Sequence, residues 1–462
     1  MQRMSSLETR VGFIAGASLL GAPLTVLGLL LLWATRVEGI WAVVFLVPLL
    51  FAATAPALSR QAAREGYPAL MWLLLAALGL KLIGSLVRYY VAFKTYDGAV
   101  DAVLYHDIGT QLSERFRAGN FDTGLDSLTS TDFMIFLTGL VYTVIGPNIY
   151  AGFLLYSWLA FWGMFYLYRA FTIAVPGGNH RSYARLLFFL PSMLYWPSSI
   201  GKEAWMLFSL GLAAFGVARI LSGRTLRGLT VAGVGLWLAA LARPHVAGMA
   251  ALGLAVAYMA GRTPQRQRRS TPAMKLLAAA ALVGLSVLLL SQTTAFLKDQ
   301  GLDPEDGVTS VLEQNTERTA QGGSSFKVPS AGFSPLHLPV ATVTILFRPF
   351  LVEAHSLQVL ITALESTVLL VLTVSRAGAI GRALRGFRRM PYVTFVVLYG
   401  LLFTMAFSSI ANFGILARER TQLLPFFLVL LAVPGAGIRR RRTVTSASHA
   451  TRRVDARQLT RA

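Results

Sequence analysis

Apolar runs of ~20 residues recur along this chain, the length a helix needs to cross a bilayer core of roughly 30 Å. Lipid offers no hydrogen-bond partner, so the backbone of such runs must satisfy itself within each segment, as a helix does. The ten-residue alternation expected of barrel strands is absent. The sequence therefore predicts an all-α, polytopic helical membrane protein. Of the 462 residues, 55% are hydrophobic and only 14% are charged, in keeping with that reading. The first run, residues 11–33, exceeds the apolar core of a signal peptide, and no small-residue cleavage site follows it. It reads as the first membrane helix.

The formal net charge of +21 would suit nucleic-acid binding, but its distribution excludes that reading. The positive residues lie in short loops between apolar runs and in the tail, where cytoplasmic loops of membrane proteins carry them. Zero cysteines exclude disulfides, thiolate metal sites and a cysteine nucleophile.

Loop charges then set a topology. Arg3 and Arg10 place the N-terminus in the cytoplasm, followed by spans at about 11–34, 39–58 and 68–93. The acid-rich segment 94–131 is thereby external. Residues 133–145 read as a short, partly inserted helix, the Gly146-Pro147-Asn148 break follows, and 149–168 reads as a full span. Further spans fall at about 186–199, 203–221, 228–242, 246–260, 275–292, 355–375, 391–410 and 421–436. The expectation is about twelve crossings, two long outer loops (94–131 and 293–354) and both termini inside. An integral membrane domain occupies 1–436, and 437–462 forms a basic cytoplasmic tail.

This topology gathers ionisable groups of both signs at the outer ends of spans. They are costly near a membrane and tend to serve function. Asp101, His106 and Asp107 lie in the first outer loop, with Tyr105 one helical turn from Asp101. Val100, Leu104, Ile108 and Leu112 follow an i, i+4 pattern that suits a helix lying on the membrane surface. A solvated helix face is the plainer reading of the same acids. Lys202 and Glu203 open a span, where they serve either as a cap and anchor or as a phosphate-binding cation with its partner. Arg243 and His245 sit in a short turn with apolar flanks. Arg348, Glu353 and His355 fall in an amphipathic stretch that anchors the chain or lines a lipid groove. Arg418 and Arg420 flank Glu419 just before the last span, against the usual charge rule, which points to phosphate. Cations for a phosphate together with a carboxylate or histidine for proton transfer suit a phosphate-bearing lipid substrate.

The familiar hydrolase, nucleotide-binding and zinc-protease motifs are missing, and six histidines lack metal-ligand spacing. Across about residues 94–205 the order is VDAVLYHDIGTQLSERFRAGNFD, then FMIFLTGLVYTVIGPNIYAGFLLYSWLAFWGMFYLYRAF, then ARLLFFLPSMLYWPSSIGKEAWMLFSLGLAAFGVAR. This order resembles the GT-C membrane glycosyltransferases that use polyprenyl-phosphate sugars. Asp101 takes the family's loop-acid position, Ile145-Gly146 its break and Glu203 its outer glutamate. The departures are Ala102 where a second acid is usual, a missing proline pair, and an extra span before the loop.

The resemblance implies transfer of a sugar from a polyprenyl-phosphate donor to a hydroxyl of a glycan or lipid acceptor. The reaction would occur at the outer face of the bacterial cytoplasmic (inner) membrane, in cell-envelope polysaccharide or glycolipid assembly. Asp101 or Asp107, with His106, would carry the proton transfer. Lys202, Arg243, His245, Arg348, Arg418 and Arg420 would hold phosphate, supported by Tyr105, Glu203, Glu353 and His355. No cofactor is required, though carboxylates leave room for a divalent metal. The alternatives are an O-antigen-type polysaccharide polymerase or ligase, or a lipid-linked glycan transporter.

Overall fold

The computed structural model describes residues 41–98, 100–261, 308–320, 324–328 and 337–434, together with Gly39 and isolated positions between 276 and 287. The expected spans at 11–34 and 275–292 and the basic tail lie outside these or are described only at single positions. The described chain is helical throughout, and its sole β-type pairing is an isolated antiparallel bridge between Ser325 and Asn412.

The first half comprises α1 (Trp41–Glu65), α2 (Ala69–Lys94), α3 (Asp101–Arg117), α4 (Ser130–Ile145), α5 (Ile149–Ala174), α6 (His180–Phe189), α7 (Pro191–Tyr195) and α8 (Lys202–Leu221). The second comprises α9 (Thr225–Ala242), α10 (Pro244–Ala260), α11 (Val308–Thr319), α12 (Leu338–Phe347), α13 (Leu357–Arg385), α14 (Pro391–Phe407), α15 (Phe413–Arg420) and α16 (Leu424–Leu431). Of these, α1, α2, α5, α8 and α13 are long and apolar enough to cross a membrane. Five shorter apolar helices accompany them: α4, α9 (apolar over Leu226–Ala242), α10, α12 and α14.

Two expected spans take another form. Residues 186–199 divide into α6 and α7 at Leu190-Pro191, because proline ends one helix and suits the first turn of the next. Of residues 421–436, the described ones (421–434) hold the eight-residue α16 after the polar turn that ends α15. The break after α4 is as expected. Gly146 adopts φ +88° there, and the Asn148 side chain accepts from the Ala151 amide at 3.1 Å to cap α5. Arg117 donates to the carbonyls of Tyr142 (2.8 Å) and Thr143 (3.1 Å), closing the end of α4.

The core centres on α8, which packs most extensively against α5 and α9. Lipid-like surroundings give helices no hydrophobic reason to associate, so close backbone approach and dispersion must hold them. Gly163 of α5 and Gly211 of α8 permit that approach. A Cβ on Gly163 would lie 2.3 Å from the Leu207 carbonyl oxygen, and one on Gly211 would lie 2.2 Å from that of Gly163. Both contacts are to backbone, so no side chain can move aside. Gly211→Val should therefore cost on the order of 2 kcal/mol or more. Thermal unfolding of the detergent-solubilised protein would show it as a clear loss of melting temperature.

Candidate functional site

Four separate elements deliver charged side chains to one end of the bundle: α3, the start of α8, the turn between α9 and α10, and α15. Glu203 opens α8 and is buried. Arg243 is the single residue between α9 and α10, where the chain must leave helical geometry before Pro244. Its guanidinium donates to Glu203 at 3.1 Å and to Glu419 on α15. Arg418, one residue earlier on α15, meets Glu203 through Nε at 3.0 Å and Asp101 through Nη1 at 3.0 Å. Gln422 donates to Glu419 at 2.7 Å and completes the knot.

Burial is graded across this knot. The side chains of Arg243, Glu203 and Glu419 are each 8% exposed, Arg418 is 30% exposed, and Asp101 is 58% exposed. Charges taken out of water need partners, and the two arginines and two glutamates supply them mutually. Asp101 stands at the water-facing end, held by a single arginine. The Glu203 carboxylate, against the effect of burial and with help from Asp101, raises Arg418 above its ordinary value. Tyr105 is buried beneath Asp101, and burial, then the charges of Asp101 and Glu203, push its phenol upward. Lys202 reaches Ser130 at 2.9 Å and Thr131 at 3.1 Å across the first turn of α4. Ser130 adopts the left-handed φ of +56°, uncommon for a residue other than glycine.

A cleft of about 350 Å³ has α15 as one wall, its lining including Ala417 next to Arg418 but none of the knot's charged side chains. Trp196, Phe413, Val359 and Pro349 give it apolar sides, and Tyr96, Gln358 and His355 give it polar ones. Tyr96 donates to Gln358 at 2.9 Å across it. Part of the second long segment folds onto α15. Residues 324–328 pair with 411–413 through Phe326 N to Ala411 O (2.8 Å) and Phe413 N to Ser324 O (3.0 Å). From α11, Asn315 donates to Ser409 at 2.7 Å, and Thr319 accepts from the Ala411 amide at 3.0 Å.

The structure thus brings together Asp101, Tyr105, Lys202, Glu203, Arg243 and Arg418, keeps His245 close to them, and places the other candidates elsewhere. His106 faces α4 rather than the knot, with Nδ1 2.8 Å from the Tyr142 hydroxyl, and Asp107 acts on that pair. The buried stripe of α3 is Ala102, Tyr105, Gly109, Leu112 and Phe116 against α4, and Leu104 of the expected membrane-facing set is exposed. His245, in the first turn of α10, is near enough to Arg243 and Lys202 to feel their charge, and its ring is 5.8 Å from that of Phe407. Arg348 pairs with Glu353 (Nε to Oε1, 3.0 Å) and lies 4.3 Å over the Phe326 ring. Burial pushes Glu353 up, but the hydrogen bonds from Arg348 and the Phe350 amide outweigh it and lower the carboxyl. The chain there is one short turn, Leu351–Glu353, not a continued helix, and His355 is exposed at the cleft.

Arg420 corrects the expectation of a phosphate-binding residue. It is fully buried, donating to the carbonyls of Leu346 (3.1 Å) and Arg348 (3.2 Å) and to Ser366 (3.0 Å). Its ion partner is Glu365 of α13 at 3.6 Å, which also accepts from the Ser192 amide at 2.7 Å. Glu365 is an ionisable group inside a span that the sequence reading overlooked, and its lone acid in an apolar run was the available signal. Arg88, likewise overlooked, lies 4.9 Å over both Tyr195 and Trp196 beside the cleft.

Among the described residues no three metal-ligating side chains form a cation site. Asp101, Glu203 and Glu419 already face guanidinium groups, so a divalent ion would have to displace an arginine. No protein-family model, curated protein or solved structure matches this chain.

Two outcomes follow. Arg243→Ala takes one guanidinium from two buried carboxylates, leaving Glu203 to Arg418 and Glu419 to Gln422, and should cost on the order of 3 kcal/mol in unfolding experiments. Burial lowers His106 from its ordinary value of 6.5, against the opposing pull of Asp107. A histidine with a depressed folded pKa lets the unfolded chain bind more protons in acid, so stability falls as pH drops below about 6.5. His106→Gln should flatten that fall in melting curves taken between about pH 7.5 and about pH 5.

Proposed function

We propose that this chain is a membrane glycosyltransferase of the GT-C kind, using a polyprenyl-phosphate sugar and a hydroxyl acceptor. The observation that carries the reading is the convergence of Asp101, Glu203, Arg243 and Arg418 from distant parts of the chain beside an apolar-walled cleft. In this reading the donor's lipid phosphate lies along the cleft, with its charge near Arg418. Asp101 takes the proton of the acceptor hydroxyl as its oxygen bonds to the sugar's anomeric carbon. The bond from that carbon to the phosphate oxygen breaks, and the leaving phosphate carries away the electron pair. Arg418 offsets the charge that develops on it. Arg243 and Glu419 keep Glu203 in place, and Glu203 orients Arg418 as a second support beside Asp101. Cell-envelope assembly at the outer face of a bacterial cytoplasmic membrane is the setting that this chemistry fits.

The central position of Arg418 also supports a second reading, an O-antigen-type polymerase or ligase acting on a polyprenyl-pyrophosphate glycan. The two make opposed predictions in lipid-reconstituted protein given radiolabelled undecaprenyl-phosphate hexoses and pentoses. Asp101→Asn should lower transfer at least ~10²-fold while donor binding persists. Full transfer by that variant would sink the assignment of Asp101. Loss in Arg418→Ala alone, with pyrophosphate-linked glycan as the accepted substrate, would favour the polymerase or ligase. Label that crosses the bilayer with its glycan unchanged would indicate a carrier instead.

A further inference from the structure

A second charged cavity lies at the other end of α8. Glu203 stands in the first turn of that helix and Arg219 in its last, roughly 24 Å apart at 1.5 Å per residue. The cavity measures about 400 Å³, and its lining includes Arg64, Arg169, Arg219 and Arg224 with Gln61 and Phe215. No carboxylate lines it among the described residues.

Cations at the ends of membrane helices are ordinary, and by themselves they imply only a cytoplasmic side. This group differs in lining one shared space, with Arg169 and Arg219 partly buried and Arg64 and Arg224 exposed at its rim. Arg169 lies 4.6 Å and Arg219 5.3 Å from the centre of the same Phe215 ring. Arg64 and Arg219 are both near enough to repel the charge of Arg169. None of the four arginines belongs to any ion pair among the described residues. The neighbouring carboxylate of Glu65 is committed elsewhere, accepting from Gln61 at 2.7 Å and from the Tyr168 hydroxyl at 2.7 Å. Arg219 Nε is buried without a hydrogen-bond partner. A buried donor left unmade is costly, and like charges gathered without a counter-ion add to the cost. Both are relieved by one kind of ligand, a compact anion with several acceptor oxygens that accepts forked hydrogen bonds from guanidinium groups.

We infer that this cavity binds a phosphate group, carried by a phospholipid headgroup or by a soluble phosphate ester, at the end of the bundle remote from the Asp101 knot. Arg169 and Arg219 grip it with Phe215 as their shared platform, and Arg64 and Arg224 close the positive rim. The site is independent of the sugar-transfer reading, because it uses none of that reading's residues.

The test uses the full chain, purified and delipidated in a neutral detergent that carries no phosphate. Glycerol 1-phosphate is titrated directly, and phosphatidylglycerol is introduced into the micelles at rising fraction, with bound lipid counted by native mass spectrometry. Saturable binding of one probe is expected, weakened at least tenfold by the double substitution R169Q/R219Q and retained by R227Q. Arg227 is an exposed cation on α9 that does not line the cavity, so it controls for charge alone. A response to phosphatidylglycerol only assigns a lipid headgroup, and a response to glycerol phosphate assigns a soluble ester. Equal weakening in R227Q overturns the site in favour of diffuse attraction. Absence of saturable binding in the unaltered protein overturns it whether or not the double variant folds. The R169K/R219K variant keeps charge but not the planar fork, and is expected to bind with intermediate affinity.

Discussion

The ionic knot of Arg243, Glu203, Glu419 and Arg418 is the interaction on which the upper end of this molecule depends. Each carboxylate and each guanidinium in it is removed from water to a degree that only mutual pairing makes tolerable. Helices that are far apart in sequence must therefore meet for all of these charges to find partners. The turn between α9 and α10 is confined to one residue, and that residue is the arginine both glutamates require. A second buried pair, Arg420 with Glu365, does the same between α15 and α13, with two backbone carbonyls accepting from Arg420 Nη1.

Between the ends, the bundle is held by a different force. The crossing of α5 and α8 at Gly163 and Gly211 brings backbones into contact where apolar side chains would gain little by leaving lipid. α8 is thus both the most enclosed of the long apolar helices and the one that carries charge at each extremity. Its length separates the charged knot at one end from the arginine-lined cavity at the other.

Much of the fold was legible because apolar run length translates directly into helix length. The limits of α2, α10 and α14 fall close to those expected from hydropathy alone. Loop charge also pointed to the turns whose residues meet, since Asp101, Glu203, Arg243 and Arg418 were each singled out as charges at span ends. What the sequence concealed is depth and facing. Arg418 and Arg420 look alike on paper, yet one is partly exposed and the other is sealed against α12 and α13. His106 follows Tyr105 directly, but a step of one residue turns it about 100° around the helix, towards Tyr142. Pro191 was visible, but in an apolar run its ability to divide a span into two short helices was not.

The eight residues of α15 have an unusual mechanical position. At its N-terminal edge, Asn412 is bridged to Ser325 in the second long polar segment, and at its C-terminal end Arg418 is bonded to Asp101 in the first. Two stretches more than two hundred residues apart in the chain therefore pull on opposite ends of one short rod. Were α15 to tilt, the cleft wall, the grip on Asp101 and the seating of the second segment would shift as one. One short helix thus joins the cleft wall, the bond to Asp101 and the pairing with residues 324–328.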